Sequence, residues 1–280
     1  MTDLAAVARR PRPLGAPGWP LEALATLAGV ALALPVLVLV ARAVLDASAL
    51  HADGLPALLD ALALSLGTTA VSLVLTATMG VPLALLLARR RSRGSTLLEA
   101  VVDLPIVLPP SVAGLALLLV LGREGVLGRP LGLLGITVPF TTLAVVIAQT
   151  FVSAPFFIRS ARTGFAAVDH DLEDAARVDG ASEVRVFTAV TVPLAGPALA
   201  AGLVMSWARS LGEFGATIMF AGNVEGRTQT LPLVVYSEFQ GGELEASIAA
   251  AAILVAAAFG VLVAVRLLHW GRALDVRGLG

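Results

Sequence analysis

The sequence predicts an all-α fold: a polytopic transmembrane helical bundle of six spans, with both termini in the cytoplasm and one sizeable cytoplasmic loop. Three observations predict it. Mean hydropathy is +0.91, and of 280 residues 58% are hydrophobic and only 14% charged, against about 25% charged in an average soluble domain. Six stretches reach the roughly 20 apolar residues that a helix needs to cross about 30 Å of hydrocarbon. The arginines segregate to alternate loops.

The first span is placed at Leu21–Ala41, after a cytoplasmic segment, 1–20, that carries Arg9, Arg10 and Arg12. Basic residues before an apolar run, with the A-x-A-like string Asp46-Ala47-Ser48-Ala49 after it, have the layout of a signal peptide. The run is longer than a usual signal core and more membrane follows, so a retained span is expected. The second span, Leu58–Ala88, is long enough to tilt. Along it Ser65, Thr69, Ser72 and Thr76, spaced by four, three and four, place four hydroxyls on one helical face with Thr68 beside them. Two readings stay open for that stripe, close helix packing and the lining of a pathway.

The third span, Leu104–Leu121, follows Glu99 and Asp103 and contains Pro105, Pro109 and Pro110, which predict a bent or broken start because proline removes backbone donors. The fourth, Phe140–Ile158, carries a polar stripe of Gln149, Thr150 and Ser153. The fifth, Leu194–Phe220, holds Arg209 and Glu213, opposite charges whose i, i+4 spacing lets them pair. They read either as a structural ion pair or as a gate or substrate contact. Gly212, Gly215 and Gly222 allow close packing or a break near the outer end. The sixth span, Glu245–Leu268, leads into a cytoplasmic tail, 269–280, so that 21–268 reads as a single transmembrane domain.

Orientation follows because positively charged loops stay in the cytoplasm. With the N-terminus inside, Arg89, Arg90, Arg91, Arg93, Arg159, Arg162, Arg177, Arg185, Arg266, Arg272 and Arg277 all fall on the cytoplasmic side. Only Arg42, Arg123, Arg129 and Arg227 fall outside.

The sizeable loop, 159–193, holds a disproportionate share of the acids. Asp169–Asp179 predicts a short helix with an aspartate cap, acids in its first turn and Gly180 after its end. Leu172, Ala175 and Ala176 share one face at i, i+3 and i+4, a shallow apolar surface suited to a groove on another protein. A second helical segment from near Ser182 carries Val184, Phe187 and Val190, until Pro193 and Pro197 break the pattern. An interfacial helix resting on headgroups is the alternative. Asp169, Asp171, Glu173, Asp174, Asp179 and Glu183 outnumber Arg177 and Arg185, which argues against a helix lying on an anionic leaflet and for protein docking.

Several chemistries are excluded. All 19 basic residues are arginine, so there is no P-loop lysine and any ATP-driven work needs a partner chain. No cysteine supplies a thiolate, a disulfide or a metal ligand. No Ser/Lys, His-Glu-x-x-His or paired-aspartate arrangement lies in the spans, and His51, His170 and His269 sit at span edges or in loops, where solvation is expected. An enzyme, a metal site and a cofactor in this chain are therefore not expected. A net charge of -1 carries no footprint for nucleic acid. An ion-coupled secondary carrier needs titrating intramembrane carboxylates, and the central candidate, Glu213, is already beside Arg209.

Asp174-Ala175-Ala176, three residues, Gly180, nine residues and Val190-Thr191-Val192-Pro193 resembles the E-A-A-x3-G-x9-I-x-L-P loop of the membrane subunits of bacterial ABC importers. Aspartate stands for the motif's glutamate, with Glu173 just ahead, and valines stand for isoleucine and leucine. The resemblance implies a coupling helix seated in a groove of an ATP-binding subunit, with Leu172, Glu173, Asp174, Ala175, Ala176 and Gly180 as coupling residues. The strings L-P-I-V-L-P-P-S (Leu104–Ser111), A-R-S-L-G-E-F-G-A-T (Ala208–Thr217) and T-Q-T-L-P-L (Thr228–Leu233) resemble the permeases of molybdate and tungstate importers and, nearly as much, those of sulfate and thiosulfate importers. The last string leans toward the molybdate/tungstate branch, and the resemblance extends from about Asp103 onward.

What this implies is a permease that moves a tetrahedral oxyanion into the cytoplasm by alternating access, in a bacterial or archaeal cytoplasmic membrane. Two copies would form the pathway, with Ser65, Thr69, Ser72, Thr76, Arg209, Glu213 and Gly215 as candidate pathway or gate residues. The implied partners are membrane lipid, a pair of ATP-binding subunits that hold the ATP and Mg, and an extracytoplasmic oxyanion-binding protein.

Overall fold

Lipid offers no water to unpaired backbone groups, so long apolar stretches have one outlet, the helix. A computed structural model describes residues 19–45, 55–90 and 92–275. Arg9, Arg10, Arg12, the Asp46–Ala49 string, His51, Arg91 and Arg277 lie outside the described residues. All regular structure among the described residues is helical. Five helices are long and apolar enough to cross a membrane, and a sixth crossing is available if one bent pair counts as a single span.

The chain divides into two units, 1–46 and 47–280. The first contains α1 (Trp19–Leu45), 27 residues with Pro35 inside it and apolar on all sides, the pattern of a helix that meets hydrocarbon.

The second unit is organised by α2 (Leu55–Arg89), α6 (Thr142–Ala166) and α9 (Val192–Leu211). α2 has 35 residues, about 52 Å at 1.5 Å per residue, so its ends stand beyond the hydrocarbon. α2 and α6 run parallel: Thr69 meets Gln149, Ser72 meets Thr150 and Gly80 meets Phe157. α9 runs antiparallel to both, since Ser206 meets Ser153, Ser160 meets Ala198 and Ser210 meets Ser72. Apolar lipid supplies no hydrophobic drive for helix association, so close backbone approach has to. Accordingly a Cβ on Gly80 would lie 2.7 Å from the Phe157 ring, and one on Gly164 would lie 2.6 Å from Ala198 Cβ.

The third predicted span is two helices. α3 (Arg93–Val107) opens on a capping box between Ser92 and Ser95, and α4 (Pro110–Leu121) leaves it at 118°. Pro109 and Pro110 supply no N–H to continue α3, so the predicted bend is found, but the helix before it begins well ahead of Leu104. Arg162 pairs with Glu99 and Arg159 Nε lies 3.6 Å from Asp103, fixing α3 to the end of α6. A short α5 (Gly128–Leu133) follows.

Around and beyond the end of α6 one expectation is corrected and the element bounds are sharpened. α6 continues to Ala166 and helix resumes at Glu183, so both ends of the segment 159–193 are helical and α7 lies between them. Pro193 and Pro197 do not break the pattern: helix runs unbroken from Glu183 to Leu211. After α7 (His170–Val178) and α8 (Glu183–Val186), a π turn at Phe187–Thr191 widens the helix, the Val192 N–H reaching Phe187 O just ahead of Pro193, which has no donor to lose. The fifth predicted span divides at Gly212–Phe214 into α9 and α10 (Gly215–Phe220). A turn-rich stretch, 221–230, leads into α11 (Leu231–Gly241), with Pro232 in its first turn, and α11 packs on α12 (Leu244–Asp275) through Val234, Ala250 and the Ser247 Oγ to Val235 O bond of 2.9 Å.

Candidate functional site

The sequence fixes α7 from both ends. Asp169 caps it, accepting the Asp171 N–H at 3.0 Å, and Asp171 and Glu173 stand in its positive first turn. At the other end Gly180 adopts φ +88°, its N–H reaching Arg177 O while the Ala181 N–H reaches Ala176 O, both at 3.0 Å. That paired closure needs a left-handed residue, which glycine supplies without strain. Arg177 then bridges the turn, donating to Glu183 at 2.8 and 3.1 Å and to Asp174 at 2.6 Å. Its hydrogen bonds to Glu183 and Asp174 push the Arg177 guanidinium up, and the bond donated by Arg177 holds Glu183 below the usual carboxylate range.

The predicted coupling residues separate into two sets. Leu172 and Ala175 are exposed, Ala176 is half-buried and Asp174 is exposed, as a docking face requires. Val178, 88% exposed, extends the apolar stripe at i+3 from Ala175 and was not anticipated. Glu173 points the other way and is 2% exposed. Its Oε1 accepts from Thr191 Oγ1 at 2.6 Å and from Arg89 Nη2, and Nδ1 of His170 lies 3.4 Å from its Oε2. Burial pushes this carboxyl up, but the bonds from Arg89 and Thr191 and the charge of Arg89 outweigh it, leaving Glu173 below its ordinary value. Arg89 and Thr191 carry no sequence signal of this role. Arg89 is one of four arginines within five positions, and Thr191 occupies an open position of the V-T-V-P string.

The stripe on α2 is buried throughout, and three of its hydroxyls lie at helix seams. Ser65 Oγ accepts the Leu231 N–H at 2.8 Å, Thr69 Oγ1 accepts from Gln149 at 3.4 Å, and Ser72 Oγ lies 3.1 Å from Thr150 Oγ1 and 3.4 Å from Ser210 Oγ. Thr76 has no hydrogen-bond partner among the described residues, and it borders a cavity of about 440 Å³ beneath the α3–α4 bend.

Arg209 and Glu213 pair as their spacing allows, Nη1 to Oε2 at 2.5 Å. Glu213 is 1% exposed, and its other oxygen accepts the Ala216 N–H at 2.7 Å, closing the start of α10. Gly215 stands at that start because α10 lies against α4: a Cβ there would come 2.7 Å from Pro110 Cβ, and one on Gly114 would come 2.7 Å from Ala216 O.

The family described as binding-protein-dependent transport system inner membrane component matches residues 80–271. A molybdenum transport system permease protein (ModB) of Mycobacterium bovis is 45% identical over 203 residues, 72% of this chain and 76% of the relative. A molybdate/tungstate transport system permease protein (WtpB) of Pyrococcus abyssi is 36% identical over 241 residues, 85% of this chain and 89% of the relative. The fold is shared with a bacterial ABC transporter involved in the import of the acidic polysaccharide alginate, at a TM-score of 0.69 and 17% identity over 89% of this chain and 94% of that one. A chain of membrane-crossing helices whose match covers the α7 loop and the Arg209–Glu213 segment is a transport component and not an enzyme, and it belongs to the binding-protein-dependent transport system inner membrane component family.

Proposed function

We propose that this chain is the transmembrane subunit of an ATP-driven importer that carries molybdate or tungstate into the cytoplasm. The observation that carries this reading is the likeness to molybdenum and molybdate/tungstate permeases over 72% and 85% of the chain, and the exposure of Leu172, Ala175 and Val178 on one side of α7 supports it. ATP closure of a partner ATPase dimer moves α7 and opens the pathway outward, and hydrolysis resets it. Two copies of the chain enclose the pathway, embedded in the lipid of a cytoplasmic membrane, with 21–268 as the permease domain and both termini inside. Thr76, Arg209, Glu213 and Gly215 border the pathway, while Ser65, Thr69 and Ser72 hold the helix seam beside it.

An anionic cargo fits the far end of the bundle. There Arg123, Glu124 and Arg227 line a cavity of about 590 Å³; Glu124 is paired with Arg129, and neither lining arginine makes an ion pair among the described residues. An extracytoplasmic binding protein would release its oxyanion on that side. An ion-coupled carrier is disfavoured because both oxygens of Glu213 are already engaged, one by Arg209 and one by the Ala216 N–H.

The test is reconstitution with the cognate ATPase and binding protein. ATP-dependent molybdate uptake that tungstate suppresses and sulfate does not is the expected result. Competition by sulfate equal to that of tungstate would move the chain to the sulfate/thiosulfate branch. Uptake under an ion gradient without nucleotide would overturn the ATP-driven reading.

A further inference from the structure

We infer that Glu173 is a positioning residue that clamps α7 to α2, and that displacement of the docking helix reaches α2 through the Glu173–Arg89 pair. The inference rests on the coupling role proposed for α7.

α7 is a nine-residue helix with a single buried side chain, and that side chain is a carboxylate. An apolar anchor holds a helix to a surface but lets it slide, whereas a charge-assisted hydrogen bond fixes distance and direction together. The Glu173 partners lie on two different spans. Arg89 is the last residue of α2, and Thr191 closes the π turn that opens α9. Thr188, one turn earlier, spends its hydroxyl on Val184 O at 2.8 Å, while Thr191 gives its hydroxyl to Glu173.

The two links are not equivalent. α7 already has a path to α9 that needs no clamp: Arg177 bridges to Glu183, and helix is continuous from Glu183 to Leu211. Toward α2, the side-chain bonds of α7 among the described residues all run through Arg89, which bonds Glu173 and lies 2.6 Å from Nδ1 of His170. His170 is 70% exposed and sits on the same helix, so it steadies Arg89 without replacing the buried carboxylate. Loss of the Glu173–Arg89 pair therefore leaves α7 tied directly to α9 alone, with α2 reached only indirectly, through its packing on α6 and α9.

The experiment uses the full complex with its ATPase and binding protein. Glu173→Gln, Arg89→Gln, their double variant, Thr191→Val and Asp174→Asn are compared by ATPase co-purification and by oxyanion moved per ATP hydrolysed. Glu173→Gln and Arg89→Gln are expected to keep the ATPase bound and to lower the transport-to-hydrolysis ratio about tenfold, within the usual range of coupling between sites. The double variant should be no worse than either single one, because both remove one interaction. Thr191→Val should cost less.

A second readout does not depend on transport rates. The sequence contains no cysteine, so labels on Arg90→Cys and on Asp171→Cys, an exposed α7 position outside the apolar stripe, report the α2–α7 separation alone. That separation should stay constant on ATP addition in the otherwise unaltered chain and change once Glu173→Gln is introduced. An unchanged transport ratio in Glu173→Gln, multiplicative losses in the double variant, or an α2–α7 separation that varies regardless of residue 173 would each overturn the clamp. An unaltered complex that moves none of the three oxyanions counts against the proposed function itself, whereas normal transport with normal coupling in Glu173→Gln counts against the clamp alone.

Discussion

Removing Arg209 should be far more damaging than removing the charge of its partner. Glu213 is 1% exposed and Arg209 27% exposed at its side chain, so the two partners are stranded differently when the other is lost. Arg209→Gln leaves a buried carboxylate with one N–H donor, from Ala216 at 2.7 Å, and no countercharge. Breaking a buried pair in this way costs about 3–5 kcal/mol, and the surviving donor places this case near the lower end, at about 3 kcal/mol. Glu213→Gln keeps an oxygen for the Ala216 N–H and leaves an arginine that can turn toward water, a loss of about 1 kcal/mol, the scale of a single hydrogen bond. The double variant strands no charge and should cost about 1–2 kcal/mol, so the two changes couple by about 2–3 kcal/mol with a favourable sign. Denaturant titration of the four proteins in mixed micelles measures each term. A Glu213→Gln variant at least as unstable as Arg209→Gln, or a double variant equal to the sum, would refute the assignment of cost to a stranded carboxylate. Transport by the double variant then separates the two readings of the pair: near-normal uptake with restored stability marks a structural pair, and restored stability without uptake marks a gate.

Three other outcomes follow from the geometry. Gly180→Ala meets no atom within 4 Å, so its cost is conformational alone; forcing an L-residue to φ +88° costs about 1–2 kcal/mol. Hydrogen exchange should show faster exchange of the residue 180 and 181 amides, with Gly180→Asn milder, and equal protection in Gly180→Ala would contradict this. Gly114→Val places its Cβ 2.7 Å from Ala216 O and from Met219 Cβ, so α10 must move off α4 at a cost of about 1–3 kcal/mol; uptake should fall while the ATPase still co-purifies, and normal uptake would show that the contact yields freely. The Glu173 carboxyl is held below its ordinary value of 4.5, so its anchorage is complete above that value and is lost as pH falls through the lower folded value. The difference in α7 amide protection between the unaltered chain and Glu173→Gln should therefore persist at every pH above 4.5 and close only below it, and closure at higher pH would show that the carboxyl is not held down.

The membrane makes some features of this chain easy to read and hides others for the same reason. Hydrocarbon forces backbone bonding to be local, so apolar length marked helices at α2, α6 and α12, and missing proline donors marked the bend between α3 and α4. Caps are equally local, which is why Asp169 and Gly180 bounded α7 correctly. Local rules failed where a distant group decides. The Leu231 N–H opens α11 on the hydroxyl of Ser65, 166 residues away, and nothing near Leu231 announces that acceptor. Pro193 lies within continuous helix because a π turn ahead of it absorbs the misfit, an outcome that its own neighbours do not specify.

The sharpest case is the pair Glu173 and Asp174. Adjacent acids on a helix point about 100° apart, so the two could not both point at one site in the bundle, and as residue types they are interchangeable in sequence. The choice falls to Arg89, 84 positions earlier, and Thr191, 18 later, which meet on Glu173 and leave Asp174 to solvent and Arg177. The motif position aligned with Asp174 therefore belongs to the exposed face of α7, and the residue ahead of it to the bundle. Reversing the charge at both sites together would disturb two different contacts at once. Only the separate variants distinguish the proposed docking surface from the proposed anchor between α7 and α2.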